Sequence, residues 1–299
     1  MLVSVVVLIA VTSAAGLYTR PGRRILLGWA ADAMQERLGI ALTVDDFSLA
    51  VRRGVLELRG LALGAPEHGA SPLVTVRRAR VEFRWGALRG DRIAIDSVRL
   101  EGPHVDLGAP LPGFASRNGD GAGSGGTTIE VREILVVDGA VVGRELPESW
   151  EILGATWNAR GVSVQGAFRE DRLDVERLTA RLDLGSRRRP TIAADLEAAL
   201  TLETNGRLDV EDLTLVAEGL SLESRGTVDL ASGAVTGLSF DIEAEPPLLV
   251  PDLTAGGHVS AAGTLAVENA ALSGSLRADI ARLPAELLAP ALSAMKLNA

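Results

Sequence analysis

The stretch Arg92–Leu107, RIAIDSVRLEGPHVDL, alternates apolar and polar residues at Ile93 and Ile95, breaks at Asp96 and Ser97, and alternates again at Val98 and Leu100. Alternation with a period of two puts one set of side chains on one face of a β-strand. The extra residue shifts the phase by one and calls for a bulge or a corner, so the two halves of the figure can face the same way or differently. The figure, apolar-x-apolar-x-x-apolar-x-apolar, recurs at Leu56/Leu58/Leu61/Leu63, Ile129/Val131/Ile134/Val136, Leu173/Val175/Leu178/Ala180 and Leu208/Val210/Leu213/Leu215, with a weaker copy at Leu265/Val267/Ala270/Leu272. Successive starts lie 37, 36, 44, 35 and 57 residues apart. Two copies share nearly the same words, RLDVERLTARLD from Arg172 and RLDVEDLTLVAE from Arg207. A loosely repeating, mainly β chain follows, and Gly-Pro at 102–103 marks a turn in it.

Such a chain has an apolar face to cover, since each inward Leu or Ile left in water forfeits about 1.5–3 kcal/mol. Helical signals between the copies are scarce, which argues against a helix layer. Roughly fifteen strands at about 4.8 Å each extend about 70 Å, and open sheets of more than about ten strands curl. The expected fold is therefore an elongated, curled repeating sheet, groove-like or taco-like. Its candidate lining is Leu56, Leu58, Ile93, Ile95, Val98, Leu100, Ile129, Val131, Leu173, Val175, Leu208 and Val210. Apolar residues make up 47 % of the chain but aromatics only 3 %, so this face is aliphatic and suits either a plain core or acyl chains.

The flanks read differently. Leu2–Leu17, LVSVVVLIAVTSAAGL, carries no charge and reaches roughly 26 Å as a helix once Tyr18 is added. That is the short limit for a hydrocarbon core of about 30 Å, and it suits a signal-anchor (Leu2, Val5, Val6, Leu8, Ile9 and Leu17 facing lipid) or a signal peptide cut near Ala14-Ala15. Arg20, Arg23 and Arg24 follow the run, and the positive-inside rule puts their side in the cytoplasm. The expected organisation is an anchor over 1–20, an amphipathic helix over 21–39, a first β-repeat region over 40–112, a flexible Gly/Ser loop over 113–127, further β-repeats over 128–282, and a helical end over 283–299 that reads as cut from something longer.

Catalytic and cofactor signatures are missing. His68, His104 and His258 are scattered without metal-ligand spacing, and there is no Cys. No G-x-S-x-G is present. Gly121, Gly123 and Gly126 satisfy G-x-G-x-x-G but lack the strand-turn-helix setting that carries a pyrophosphate. Asn118-Gly119-Asp120-Gly121 lacks the ligand series of a calcium loop. Carboxylates such as Asp174, Glu176, Asp209 and Glu211 occupy the polar positions of an alternating strand, where solvent explains them. The net charge of −9 argues against nucleic acid. A non-enzymatic protein without cofactor or metal is the expectation.

The first hundred residues resemble the N-terminal region of the AsmA-like superfamily, and most of all its TamB-like branch. The resemblance runs through the apolar segment, RPGRRILLGWAADAMQERLGI, LTVDDFSLAVRRGVLELRGLALGAP and PLVTVRRARVEFRWGALRGDRIAIDSVRLEGPHVDL, covering Leu2–Leu107, and later repeats are similar in style. It implies a single-pass inner-membrane protein of a diderm bacterium, its β-rich body in the periplasm. It further implies a hydrophobic groove carrying phospholipids between the membranes, together with an outer-membrane β-barrel partner. The arginines after the apolar run point the other way on topology. The competing reading is a periplasmic scaffold for assembly or translocation of outer-membrane proteins, with a dry core. A third is a secreted β-solenoid adhesin with a cleaved signal.

Overall fold

The fold is taken from a computed structural model in which the described residues are 41–64, 72–84, 86, 92–107, 128–143, 156–169, 171–186, 189–230, 232, 234–245, 257–268 and 271–281. The anchor, the following helix, the Gly/Ser loop and the C-terminal helix expected from the sequence lie outside them. The strands are β1 (Ala41–Thr43), β2 (Asp46–Ala50), β3 (Val55–Gly64), β4 (Val74–Phe83), β5 (Arg92–Asp106), β6 (Thr128–Val142) and β7 (Thr156–Arg169). They continue with β8 (Arg172–Ser186), β9 (Arg189–Glu203), β10 (Arg207–Ala217), β11 (Leu220–Asp229), β12 (Val235–Ala244), β13 (His258–Glu268) and β14 (Ala271–Ala281). A short 3-10 turn, Val51–Arg53, links β2 to β3.

All fourteen strands join one mixed sheet in the order β1-β3-β4 and onward to β14, with β2 also on β3. Its first and last strands do not meet, so the sheet is open. Neighbours are antiparallel except β5 and β6, which run parallel. Their register is Ile93↔Ile129, Ile95↔Val131, Val98↔Ile134 and Leu100↔Val136. The 36-residue spacing of these two copies is thus the register itself, each residue lying beside its own repeat. In a parallel pair the end of β5 and the start of β6 lie at opposite ends, roughly 46 Å apart at about 3.3 Å per residue.

The phase shift in the repeat is a bulge. Glu82 faces Ser97 and Phe83 faces Ile95, which leaves Asp96 without an opposite residue. The same break falls at Arg132-Glu133 of β6, Glu176-Arg177 of β8 and Glu211-Asp212 of β10. The paired-up positions carry charges because two consecutive residues turn away from the apolar side there. These breaks align from strand to strand and continue at Gly237 of β12. A second line of irregularity crosses β3 to β7 at left-handed residues: Gly60 (φ 58°), Gly102 (58°), Asp138 (57°) and Gly161 (60°). Bulges add right-handed twist and bend the strand, so two aligned rows of them curl a sheet too broad to stay flat.

Two expectations need correction. Gly102-Pro103 is no turn: both residues lie inside β5, at the second line. Gly102 supplies the left-handed backbone and Pro103 stands opposite Val76, a bulge being one of the few interior places where a strand tolerates Pro. The weak copy at Leu265/Val267/Ala270/Leu272 is no bulge either. Val267 pairs with Leu272 and Glu268 with Ala271, so its extra residues form the β13–β14 hairpin.

Candidate functional site

Register decides which face each apolar residue occupies, because directly opposite residues share a face. One row of opposite residues runs Phe47, Leu58, Ala79, Leu100, Val136, Val164, Leu178, Ala198, Leu213, Ser224, Phe240, Gly263, Leu276. It crosses every strand from β2 to β14, and Ser224 is its one polar member. A second row runs Leu49, Leu56, Val81, Val98, Ile134, Gly166, Val175, Leu200, Val210. A third runs Phe83, Ile95, Val131, Phe168, Leu173, Leu202, Leu208, Val228, Val235. At about 4.8 Å per strand the first row is roughly 58 Å long.

The bulges do not flip this face. Ile93 and Ile95 before the break at Asp96 pack in one cluster with Val98 after it, and with Ile129, Val131 and Ile134 of the parallel copy. The two halves of each figure therefore face the same way. The candidate residues Leu56, Ile93, Ile95, Val131 and Val175 are buried, while Leu58, Val98, Leu100, Ile129, Leu173, Leu208 and Val210 are partly buried. All twelve lie on the one apolar side. Sequence reasoning missed Leu222, Phe240, Ile242 and Leu276 on the same face. Plain alternation in Leu220–Leu222 and Phe240–Ile242 carries that signal without the bulged figure.

Burial along the face is uneven. Phe47, Leu56 and Phe83 form a buried cluster supported by Leu49, Leu58 and Val81, and the Ile93 cluster adjoins it through Val81. From β10 to β14 no residue whose side chain is described is buried, and Leu276 on the apolar side of β14 is 51 % exposed.

The opposite face is charged and internally paired. Glu57 accepts from Arg78 at 2.7 Å and from Arg59 at 2.9 Å, and Arg78 also lies 3.9 Å from Glu101. Hydrogen bonds from Arg78, then Arg59, hold the Glu57 carboxyl below the ordinary carboxylate value. At the first bulge Arg84 donates to both oxygens of Asp96, at 2.8 and 2.9 Å, and Arg132 approaches to 3.6 Å. These contacts, Arg84 first, lower the Asp96 pKa, and the hydrogen bond to Asp96 raises that of Arg84. Asp209 is lowered chiefly by the Thr227 hydroxyl, which donates to it at 2.6 Å. Exposed ion pairs of this kind contribute about 0–1 kcal/mol each. A hollow of about 360 Å³ on this face is lined by Arg78, Arg80, Glu82, Arg99, Glu101 and Glu133, among others. Its cations already have carboxylate partners within the sheet.

His104 and His258 are exposed on separate strands, and no group of three or more His, Asp or Glu among the described residues is disposed to hold a metal. No described helix is long and apolar enough to cross a membrane, and the anchor residues Leu2, Val5, Val6, Leu8, Ile9 and Leu17 lie outside the described part. Comparison with protein-family models, with curated proteins and with solved structures found no match.

Proposed function

We propose that the apolar face is a conducting surface for phospholipid acyl chains, in a protein anchored in the inner membrane of a diderm bacterium with its sheet in the periplasm. The observation that carries this reading is the row from Phe47 to Leu276, apolar on every strand but β11, which runs across the sheet from β2 to β14. A lipid needs a track at least as long as its own movement. A row perpendicular to the strands provides one, in which most steps from strand to strand meet an apolar side chain. The side chains are mostly Leu, Val and Ala, which grip a hydrocarbon chain through dispersion alone and without directional contacts. Among the described strands the charges lie on the other face, and the headgroup would stay in water at the sheet margins. No bond is made or broken. An outer-membrane β-barrel is the expected receiving partner.

The test is native mass spectrometry and lipid extraction on the full chain purified from a bacterial envelope. Several phospholipids per chain are expected, and Leu213→Asp should remove them, since Leu213 lies in the track but is only partly buried. Its thermal stability should stay close to that of the parent. A lipid-free, stably folded protein would overturn conduction. The scaffold reading, in which the same face receives an outer-membrane protein in transit, would then stand in its place.

A further inference from the structure

The two edges of the sheet differ. One is built from β1 and β2, only three and five residues long, separated by Val44-Asp45 and followed by the Val51–Arg53 turn. Short, interrupted strands with charges (Asp45 and Asp46 here) are how proteins blunt an edge against pairing. The other edge is β14, which pairs with β13 over eleven consecutive positions without a register shift. Its residues 273–279 are all exposed, and it carries no Pro, no Lys and no bulge. Among the described residues its outer side meets no strand.

We propose that β14 pairs antiparallel with β14 of a second copy of this chain, centred on Ala278. Three arguments select this occupant and register. Backbone groups that point outward alternate along a strand, so self-pairing must be centred on a residue and not between two. Centring on Arg277 or Asp279 puts like charges opposite each other, and centring on Leu276 sets Arg277 and Asp279 only against Ser275 and Ser273. Ala278 sets Arg277 of each copy opposite Asp279 of the other. In the single chain those two side chains make only a loose contact, 3.7 Å, and are 87 % and 75 % exposed. The blunted β1/β2 edge also disfavours head-to-tail growth, so the pair closes as a two-fold dimer instead of extending into a filament. Opposite residues share a face, and the apolar side therefore continues from one copy to the next, with half-exposed Leu276 inside the paired segment.

The paired segment, residues 275–281, is short beside an ordinary stable interface, so association is expected to depend on concentration. Light scattering on the full chain should show the dimer fraction rising with concentration. Arg277→Asp should weaken association about tenfold by making two opposed pairs repulsive, and the swap Arg277→Asp with Asp279→Arg should restore it. Because the chain has no Cys, an Ala278→Cys variant should cross-link to itself through a short thiol-reactive linker, whereas Ser273→Cys should not. A monomer at all concentrations, or equal cross-linking of both variants, would overturn the proposal. None of these readouts depends on bound lipid.

Discussion

The strands from β2 to β6 and those from β10 to β14 use the same alternation and share one apolar face, yet only the first group buries it. Phe47, Phe83, Ile93, Ile95 and Val131 fill their part with branched and aromatic side chains that reach across neighbouring strands. On the same face of the last strands stand Ser224, Ala261, Gly263, Gly274 and Ala278. Small side chains leave gaps that neighbours cannot close, so the large ones between them, Leu222, Phe240 and Leu276, keep contact with solvent. Alternation sets which way a residue points, whereas side-chain volume sets whether that direction is a core or an accessible surface.

The largest expected difference is in stability. Ile93→Ala removes buried volume and should cost about 2–5 kcal/mol, while Leu222→Ala, only partly buried, should cost about 1 kcal/mol. Urea unfolding of the two variants measures both, and equal losses would erase the distinction between the regions.

A narrower comparison sets the two bulge lines against each other. Gly60 and Gly237 have nearly the same left-handed backbone, φ 58° and 61°. The conformational penalty of alanine, about 1–2 kcal/mol, is therefore common to both. A β-carbon at Gly60 would come 1.9 Å from the Asp45 carboxylate, while at Gly237 it meets nothing within 4 Å. Gly60→Ala should be the more damaging of the two by thermal melting, and parity would mean that Asp45 moves aside freely.

The smallest effect expected is acid sensitivity. Glu57 and Asp96 in the first region and Asp209 in the last have folded pKa values below their ordinary ones. Such a group binds protons more readily when unfolded, so its contribution is present above the ordinary carboxylate value of about 4 and is lost as pH falls through the lowered folded value. Asp96→Asn should flatten the acid limb of the stability–pH curve more than Glu245→Gln, an exposed control. An unchanged curve would show the Arg84 contact to be energetically idle.

Much of the fold was legible in the chain because a period of two is a local property. Ile93, Ile95, Val98 and Leu100 announced both the strand and its bulge, and the charged pairs at 132–133, 176–177 and 211–212 marked the matching breaks. Local pattern failed where the deciding contact was distant. Gly102-Pro103 reads as a turn until Val76 and Val105 are seen to continue the ladder around it, and Leu265–Leu272 reads as a bulge although two strands meet within it. By itself the sequence determined that these strands exist and that each has one apolar side. Only the tertiary structure decided that β5 and β6 lie parallel with the 36-residue repeat as their register, that the bulges keep the apolar sides on one face, and that β14 meets no second strand among the described residues. Strand order and register depend on hydrogen bonds between residues far apart in the chain, and no alternation within a single strand encodes its neighbour.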